Sequence, residues 1–170
     1  DDVVSYVMKL KYEDLPASTL EVVKKTVLDT LGVLKAGSSA PGCAELVKLV
    51  KEWGGRGEAS LLIFGGKVPA HHAALVNSTV ARARDLGDVH PGGGHLSETT
   101  VPACFVLAEY AKAFKGKTMD GKTFILGNAL CSDLTSRLRT AGREVGIRRH
   151  RAETLAPISV AAMGAKLFGF

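Results

Sequence analysis

Apolar residues recur at helical spacing along most of the chain. Val3, Val4, Val7, Met8 and Leu10 form a short stripe at the start, and Pro16 closes the link to a stronger one. Leu20, Val23, Val27, Leu28, Leu31 and Leu34 then repeat at a helical period until Gly37, which predicts a core helix. Ser18-Thr19-Leu20-Glu21 ahead of it has the form of a capping box, with the serine oxygen accepting from a later amide and the glutamate reaching back. A second helix is expected from Cys43 to Trp53, stopped by Gly54 and Gly55.

The period breaks at 58–64. The run Ser60-Leu61-Leu62-Ile63-Phe64 is short and is followed by Gly65-Gly66, so a small hairpin or extended segment is expected there, the one piece of β structure. Helical patterning resumes at 69–84 and again at 101–114, where Pro102 is tolerated in a first turn. It continues at 120–139, with Phe124, Ile125, Leu130, Leu134 and Leu138, and in the alanine-rich stretch 154–170. The expected fold is mainly α: a multi-helix, bundle-like domain over residues 1–170 with one short β segment.

Composition narrows the class. With 170 residues, 46% of them hydrophobic and 23% charged, the chain can bury a sizeable core and is no disordered segment. Cys43, Cys104 and Cys131 are odd in number, widely spaced and set in apolar runs, so they read as reduced, buried thiols of a cytoplasmic protein. No secretory signal is visible, and no apolar run approaches the roughly eighteen residues of a membrane span. The net charge of +5 favours anionic partners. Apart from Arg148, Arg149, His150 and Arg151 the charge is dispersed, with few interleaved aromatics, which argues against nucleic acid.

One motif misleads. Gly116-Lys117-Thr118-Met119-Asp120-Gly121-Lys122-Thr123 satisfies the phosphate-loop pattern G-x-x-x-x-G-K-[ST]. That pattern works when a buried strand runs into the first glycine and a helix leaves from the lysine. Here Glu109, Lys112 and Lys115 read as the end of a helix, so a polar helix connection is the simpler explanation.

The stretch 85–97, Asp-Leu-Gly-Asp-Val-His-Pro-Gly-Gly-Gly-His-Leu-Ser, carries the candidate chemistry. Long connections between helices tend to carry function, although aspartates and histidines are also common in solvated loops. Histidine can accept a proton in one step and return it in another, and Asp85 or Asp88 could fix an imidazole tautomer or act as acid or base. Gly92, Gly93 and Gly94 can take positive φ, crowding amides around an anion or folding the loop so that His90 and His95 converge. His90, His95 and Asp85 would also offer zinc mixed nitrogen and oxygen donors, but a structural site needs a fourth ligand, and no metal is assigned. His71 and His72, in the first turn of the 69–84 helix, read as surface or packing residues.

The run Ala74-Leu75-Val76-Asn77-Ser78-Thr79-Val80-Ala81-Arg82-Ala83-Arg84-Asp85-Leu86-Gly87-Asp88-Val89-His90, followed by His95-Leu96-Ser97 and Val101-Pro102-Ala103, resembles the MmgE/PrpD family. That family writes this region L-V-N-G-T-x-A-H-A-L-D-F-D-D-x-H, then H-P-S, then a V-x-P-A helix. A second block agrees in order: His150-Arg151-Ala152-Glu153-Thr154-Leu155-Ala156-Pro157 is similar to H-x-T-x-T-x-G-P, ahead of an alanine-rich helix. The resemblance spans essentially the whole chain.

It implies an all-helical main domain and a smaller α/β lid domain, usually in a homodimer, acting without a cofactor on small polycarboxylates. Members include 2-methylcitrate dehydratase, cis-aconitate decarboxylase and iminodisuccinate epimerase. By position, Asp85, His95 and His150 correspond to the family's active-site set and are the expected acid–base residues; Asp88, His90, Ser97 and Arg151 are assigned to substrate contact. Departures stand beside these matches. Gly87 replaces the second aspartate of D-F-D-D, Val89 a frequent threonine, Leu96 the proline of H-P-S, and Arg82 and Arg84 a usual histidine and leucine. Members are also much longer, so the expectation is a single helical domain over residues 1–170 that lacks the family's C-terminal lid domain. The expectation is a lyase or isomerase domain, incomplete or diverged as it stands, whose site a homodimer or partner subunit completes; the alternative is a non-catalytic dimerising module.

Overall fold

The computed structural model describes residues 2–90, 94–146 and 152–169, which form seven α-helices and one two-stranded antiparallel hairpin. The mainly helical fold expected from the hydrophobic period is what the chain adopts. The first helix, α1, covers Asp2–Lys9, and α2 covers Ala17–Gly37. The capping box does not form. Pro16, with φ −58 and ψ 148, is itself the cap, and its carbonyl already accepts from Leu20. Proline's fixed φ suits a helix start, so the helix begins early and Ser18 lies inside its first turn, unable to cap it. At its other end Gly37 is required by a neighbour: a Cβ there would lie 1.9 Å from the Val80 carbonyl oxygen.

Helix α3 (Cys43–Trp53) leads into the hairpin of β1 (Ala59–Ser60) and β2 (Lys67–Val68), in the register Ala59 with Val68 and Ser60 with Lys67. The apolar run lies in the turn, not in a strand. Leu61 is buried, and Leu62, Ile63 and Phe64 pack on the core, while Gly65 and Gly66 at φ 72 and 82 reverse the chain. Two side chains tie this hairpin down. Asn77, buried on α4 (Ala70–Arg82), accepts from the Leu62 amide at 3.0 Å and donates to the Ser60 carbonyl at 2.9 Å.

Glu109, on α5 (Ser97–Lys115), accepts from the Ser60 amide and hydroxyl and stands 3.4 Å from the Lys67 ammonium. Desolvation pushes the Glu109 carboxyl up, but Ser60 and Lys67 together reverse this and hold it below the usual glutamate range. A carboxylate lowered by folding stabilises above its unfolded pKa, and the contribution is lost as pH falls through the lowered value. Glu109→Gln should therefore cost about 1–2 kcal/mol at neutral pH and flatten the acid limb of stability, as read by urea melts over a pH series.

Helix α5 begins four residues ahead of the expected start. The Leu96 carbonyl accepts from both Thr99 and Thr100, building the first turn from Ser97. Pro102 therefore falls beyond the first turn, where it forgoes one backbone bond. Gly116, at φ 61, ends α5, and α6 (Gly121–Glu144) follows after a short link. A helix thus precedes the phosphate-loop pattern, where nucleotide binding needs a strand, and its lysine, Lys122, pairs with Glu13 at 3.1 Å. The last helix, α7 (Ala152–Phe168), packs on α5 and α6.

The buried apolar residues divide into two clusters. One holds Leu34, Val50, Leu61, Val76, Val80 and Val106; the other holds Val7, Cys104, Leu130, Cys131, Leu134 and Met163. Helix α5 contributes to both. All three cysteines are free and buried, and a hydrogen bond with Cys131, reinforced by burial, holds the Cys104 thiol far above its ordinary range. His72 packs 5.0 Å from the Trp53 ring and 4.1 Å from His71, the packing role expected of that pair. Among the described residues no helix is long and apolar enough to cross a membrane.

Candidate active site

The 85–97 stretch joins α4 to α5, and each helix end supplies part of one charged cluster. After α4 the chain turns through Asp85, whose φ of 54 is the one positive value outside glycine among the described residues. Its amide bonds back to the Arg82 carbonyl at 3.0 Å, and its Oδ1 lies 2.6 Å from Arg82 Nη1. From the other side, the first turn of α5 brings Glu98 to 3.2 Å from the same Nη1. His95 stands between the two carboxyls, with Nε2 3.4 Å from Asp85 Oδ1 and Nδ1 3.6 Å from Glu98 Oε1. The cluster runs from solvent to interior: the side chains of Asp85, His95 and Glu98 are 71%, 19% and 3% exposed. Burial pushes the Glu98 carboxyl above its ordinary value, outweighing Arg82, His95 and the Gly87 amide, which pull it down.

A cavity of about 440 Å³ lies between α2, the connecting loop, the start of α5 and α6, and its lining includes none of Arg82, Asp85, His95 and Glu98. Thr26, Asp88, His90, Leu96, Thr100 and Asn128 are on its walls, and its lining among the described residues includes no lysine or arginine. Thr100 Oγ1 and Asn128 Oδ1 are buried there without a hydrogen-bond partner. Asp88 accepts from the Ser97 hydroxyl. His90 and Gly94 exchange backbone bonds of 2.9 and 3.1 Å, and Gly94 has the expected positive φ, at 86.

The expected site residues therefore separate. Asp85 and His95 meet in the charged cluster, while Asp88 and His90 line the cavity, with Ser97 bonded to Asp88. His150 and Arg151 lie outside the described residues, as do Gly92 and Gly93. No group of three or more metal-ligating side chains is found among the described residues.

Residues 1–170 match the model of the MmgE/PrpD N-terminal domain. The chain belongs to the MmgE/PrpD family. Among its curated relatives, a cis-aconitate decarboxylase-like protein, oryM, of Aspergillus oryzae is 24% identical over 173 residues, 99% of this chain and 36% of that one. A cis-aconitate decarboxylase of Aspergillus terreus is 27% identical over 126 residues, 74% of this chain and 26% of that one. The chain spans about a third of the length of the first relative and a smaller share of the second.

This MmgE/PrpD chain explains its own departures from the family pattern. Arg82, in place of a histidine, holds both Asp85 and Glu98. Arg84 donates to Ser39 at 3.2 Å and braces the turn after α2. Leu96 is buried against the cavity, and Val89 faces solvent. Gly87 lies against the Glu98 side chain: a Cβ would lie 2.2 Å from Glu98 Oε1, so a side chain there would have to displace it. Glu98 and Arg82 are the site residues that sequence reading missed. The available signal was the pair of changes itself, a glycine where the family has a carboxylate and a glutamate one turn beyond His95.

Proposed function

We propose that this chain is the N-terminal helical part of a lyase or isomerase acting on small polycarboxylates, with Asp85 and His95 as its acid–base pair. The observation that carries the reading is the imidazole of His95 held between two carboxyls, on the same connecting loop whose Asp88 and His90 line a cavity of substrate size. Moving a proton on or off carbon next to a carboxylate needs such a group, able to donate and accept near neutral pH. Asp85, largely exposed and paired with Arg82, orients the Nε2 side of the ring. The names of the relatives favour loss of carbon dioxide from an unsaturated tricarboxylate, with His95 protonating the carbanion left behind. Dehydration of a 2-methylcitrate-like substrate uses the same residues in the opposite sense.

Tricarboxylates also need cations, and the described cavity wall has none. Arg151 beside His150 is one source in this chain. The others would come from a lid domain in the part of the family's length that lies beyond this match, on the same polypeptide, a partner subunit or the second chain of a homodimer. Three free buried thiols fit a reducing, cytoplasmic setting.

The test is calorimetric titration with citrate, 2-methylcitrate and cis-aconitate. His95→Ala should weaken binding at least about tenfold, some 1.4 kcal/mol, and His150→Ala should do likewise. A folded protein silent to all three ligands, alone and joined to a lid domain, would overturn the reading. It would leave a non-catalytic dimerising module, which an apolar groove lined by Val3, Val4, Met8 and Ile158 on α1 and α7 favours.

A further inference from the structure

Glu98 has no task in the acid–base reading above, yet its placement is specific. Its Oε1 is buried without a hydrogen-bond partner, and 3.6 Å away Nδ1 of His95 is also buried and unpartnered. Leaving a buried polar atom unpaired is costly, so two orphans facing one another are most simply explained by a proton held between them. At 3.6 Å the two atoms stand just beyond hydrogen-bond distance. The groups facing the pair are Arg82 from α4, Asp85 from the loop and the Gly87 amide.

We propose that Glu98 is a buried proton store that works through His95. Protonated at rest, Glu98 donates its O–H to Nδ1 and holds the imidazole as the Nε2–H tautomer, with that hydrogen directed at Asp85. When Nε2 gives its proton to a substrate carbanion, the N–H bond at Nε2 breaks and a C–H bond forms. In the same step the Glu98 O–H bond breaks and an N–H bond forms at Nδ1. The ring stays neutral, and the negative charge passes from carbon to the Glu98 carboxylate. Arg82 Nη1, 3.2 Å from Oε2, is already placed to receive it. The reverse sequence takes a proton from carbon. Glu98 touches His95, not the substrate, and is a positioning residue.

The store also accounts for Gly87. With Glu98 in place, a Cβ at position 87 would lie 2.2 Å from Oε1, so a side chain there has to displace the carboxyl. The carboxyl here comes from α5 where the family pattern takes it from the loop.

The proposal rests on His95 being the acid–base group, and its test separates the two claims. Infrared spectra of the whole chain at neutral pH should show the carbonyl band of a protonated carboxylic acid that Glu98→Gln lacks. Ring nitrogen spectra of labelled His95 should show a neutral imidazole with its proton on Nε2. Gly87→Ala, which displaces the same carboxyl from the opposite side, should shift His95 toward a mixture of tautomers. Absence of the acid band in the wild type, a doubly protonated His95 beside an ionised Glu98, or a His95 spectrum unmoved by Gly87→Ala would each overturn the store. These spectra involve no substrate, so they decide the proposal whether or not turnover is found. Where a polycarboxylate is turned over, Glu98→Gln should lower kcat at least about tenfold with KM nearly unchanged. An unchanged kcat would remove the store and leave the lyase reading standing.

Discussion

Alanine at position 37 is expected to cost about 3 kcal/mol of folding stability, for the sake of one methyl group. Its Cβ would lie 1.9 Å from the Val80 carbonyl oxygen and 3.0 Å from the carbonyl carbon. Neither atom can rotate away, because both belong to the backbone of α4. Helices α2 and α4 must separate instead, loosening Leu34, Val76 and Val80 in the core between them. Overpacking a rigid contact costs about 1–3 kcal/mol, and a backbone obstacle belongs at the upper end. A loss of that size lowers the ratio of folded to unfolded molecules more than a hundredfold. Urea unfolding should show a lower midpoint with an unchanged slope. Gly32→Ala is the control: nothing lies within 4 Å of its Cβ, so helix propensity alone should make it neutral or stabilising by up to about 1 kcal/mol. If Gly37→Ala behaved like Gly32→Ala, the close crossing of α2 and α4 would be wrong.

The second large effect is expected at Asn77. Its amide serves the Leu62 N–H and the Ser60 carbonyl at once, from a nearly buried position on α4. Alanine adds no bulk and favours a helix, so neither overpacking nor propensity should penalise Asn77→Ala. What remains is the loss of partners for two backbone groups, at about 1–3 kcal/mol each, or roughly 3 kcal/mol together. The damage should be local. Amides and protease-sensitive bonds at 59–68 should open before those of α6 and α7, and a uniform loss across the chain would show that Asn77 does not act through the hairpin. Asn77 lies in the run that carries the family resemblance, and here its work is structural.

These residues also show what could be read from the sequence. Helix α2 is legible because its apolar face repeats through Leu20, Val23, Leu31 and Leu34, and the hairpin because a short apolar run meets paired glycines. The start of α5 is not legible. Ser97, Glu98 and Thr100 are polar yet buried, so a reading that equates burial with apolar residues places the helix start at Val101. That single error hides Glu98, because only a helix starting at Ser97 carries it back beside His95. The capping box failed for a comparable reason, a strong local pattern overruled by the proline two residues before it. Asp85 and His95 were legible through the family pattern. Arg82 was not, since its role depends on Asp85 adopting a left-handed turn that brings the carboxylate back over the end of α4.

The division of the core gives the charged cluster a mechanical meaning. Helix α4 packs in one apolar cluster, while α5 sends Val106 into that cluster and Cys104 into the other. The two halves should therefore open as separate units that share α5, and the loop between α4 and α5 leads from one to the other. Arg82 and Glu98 form a clasp over it. A ligand that settles on this clasp links the opening of one unit to the opening of the other, so occupancy would be felt as far away as α3 and α7 without either helix touching the bound molecule.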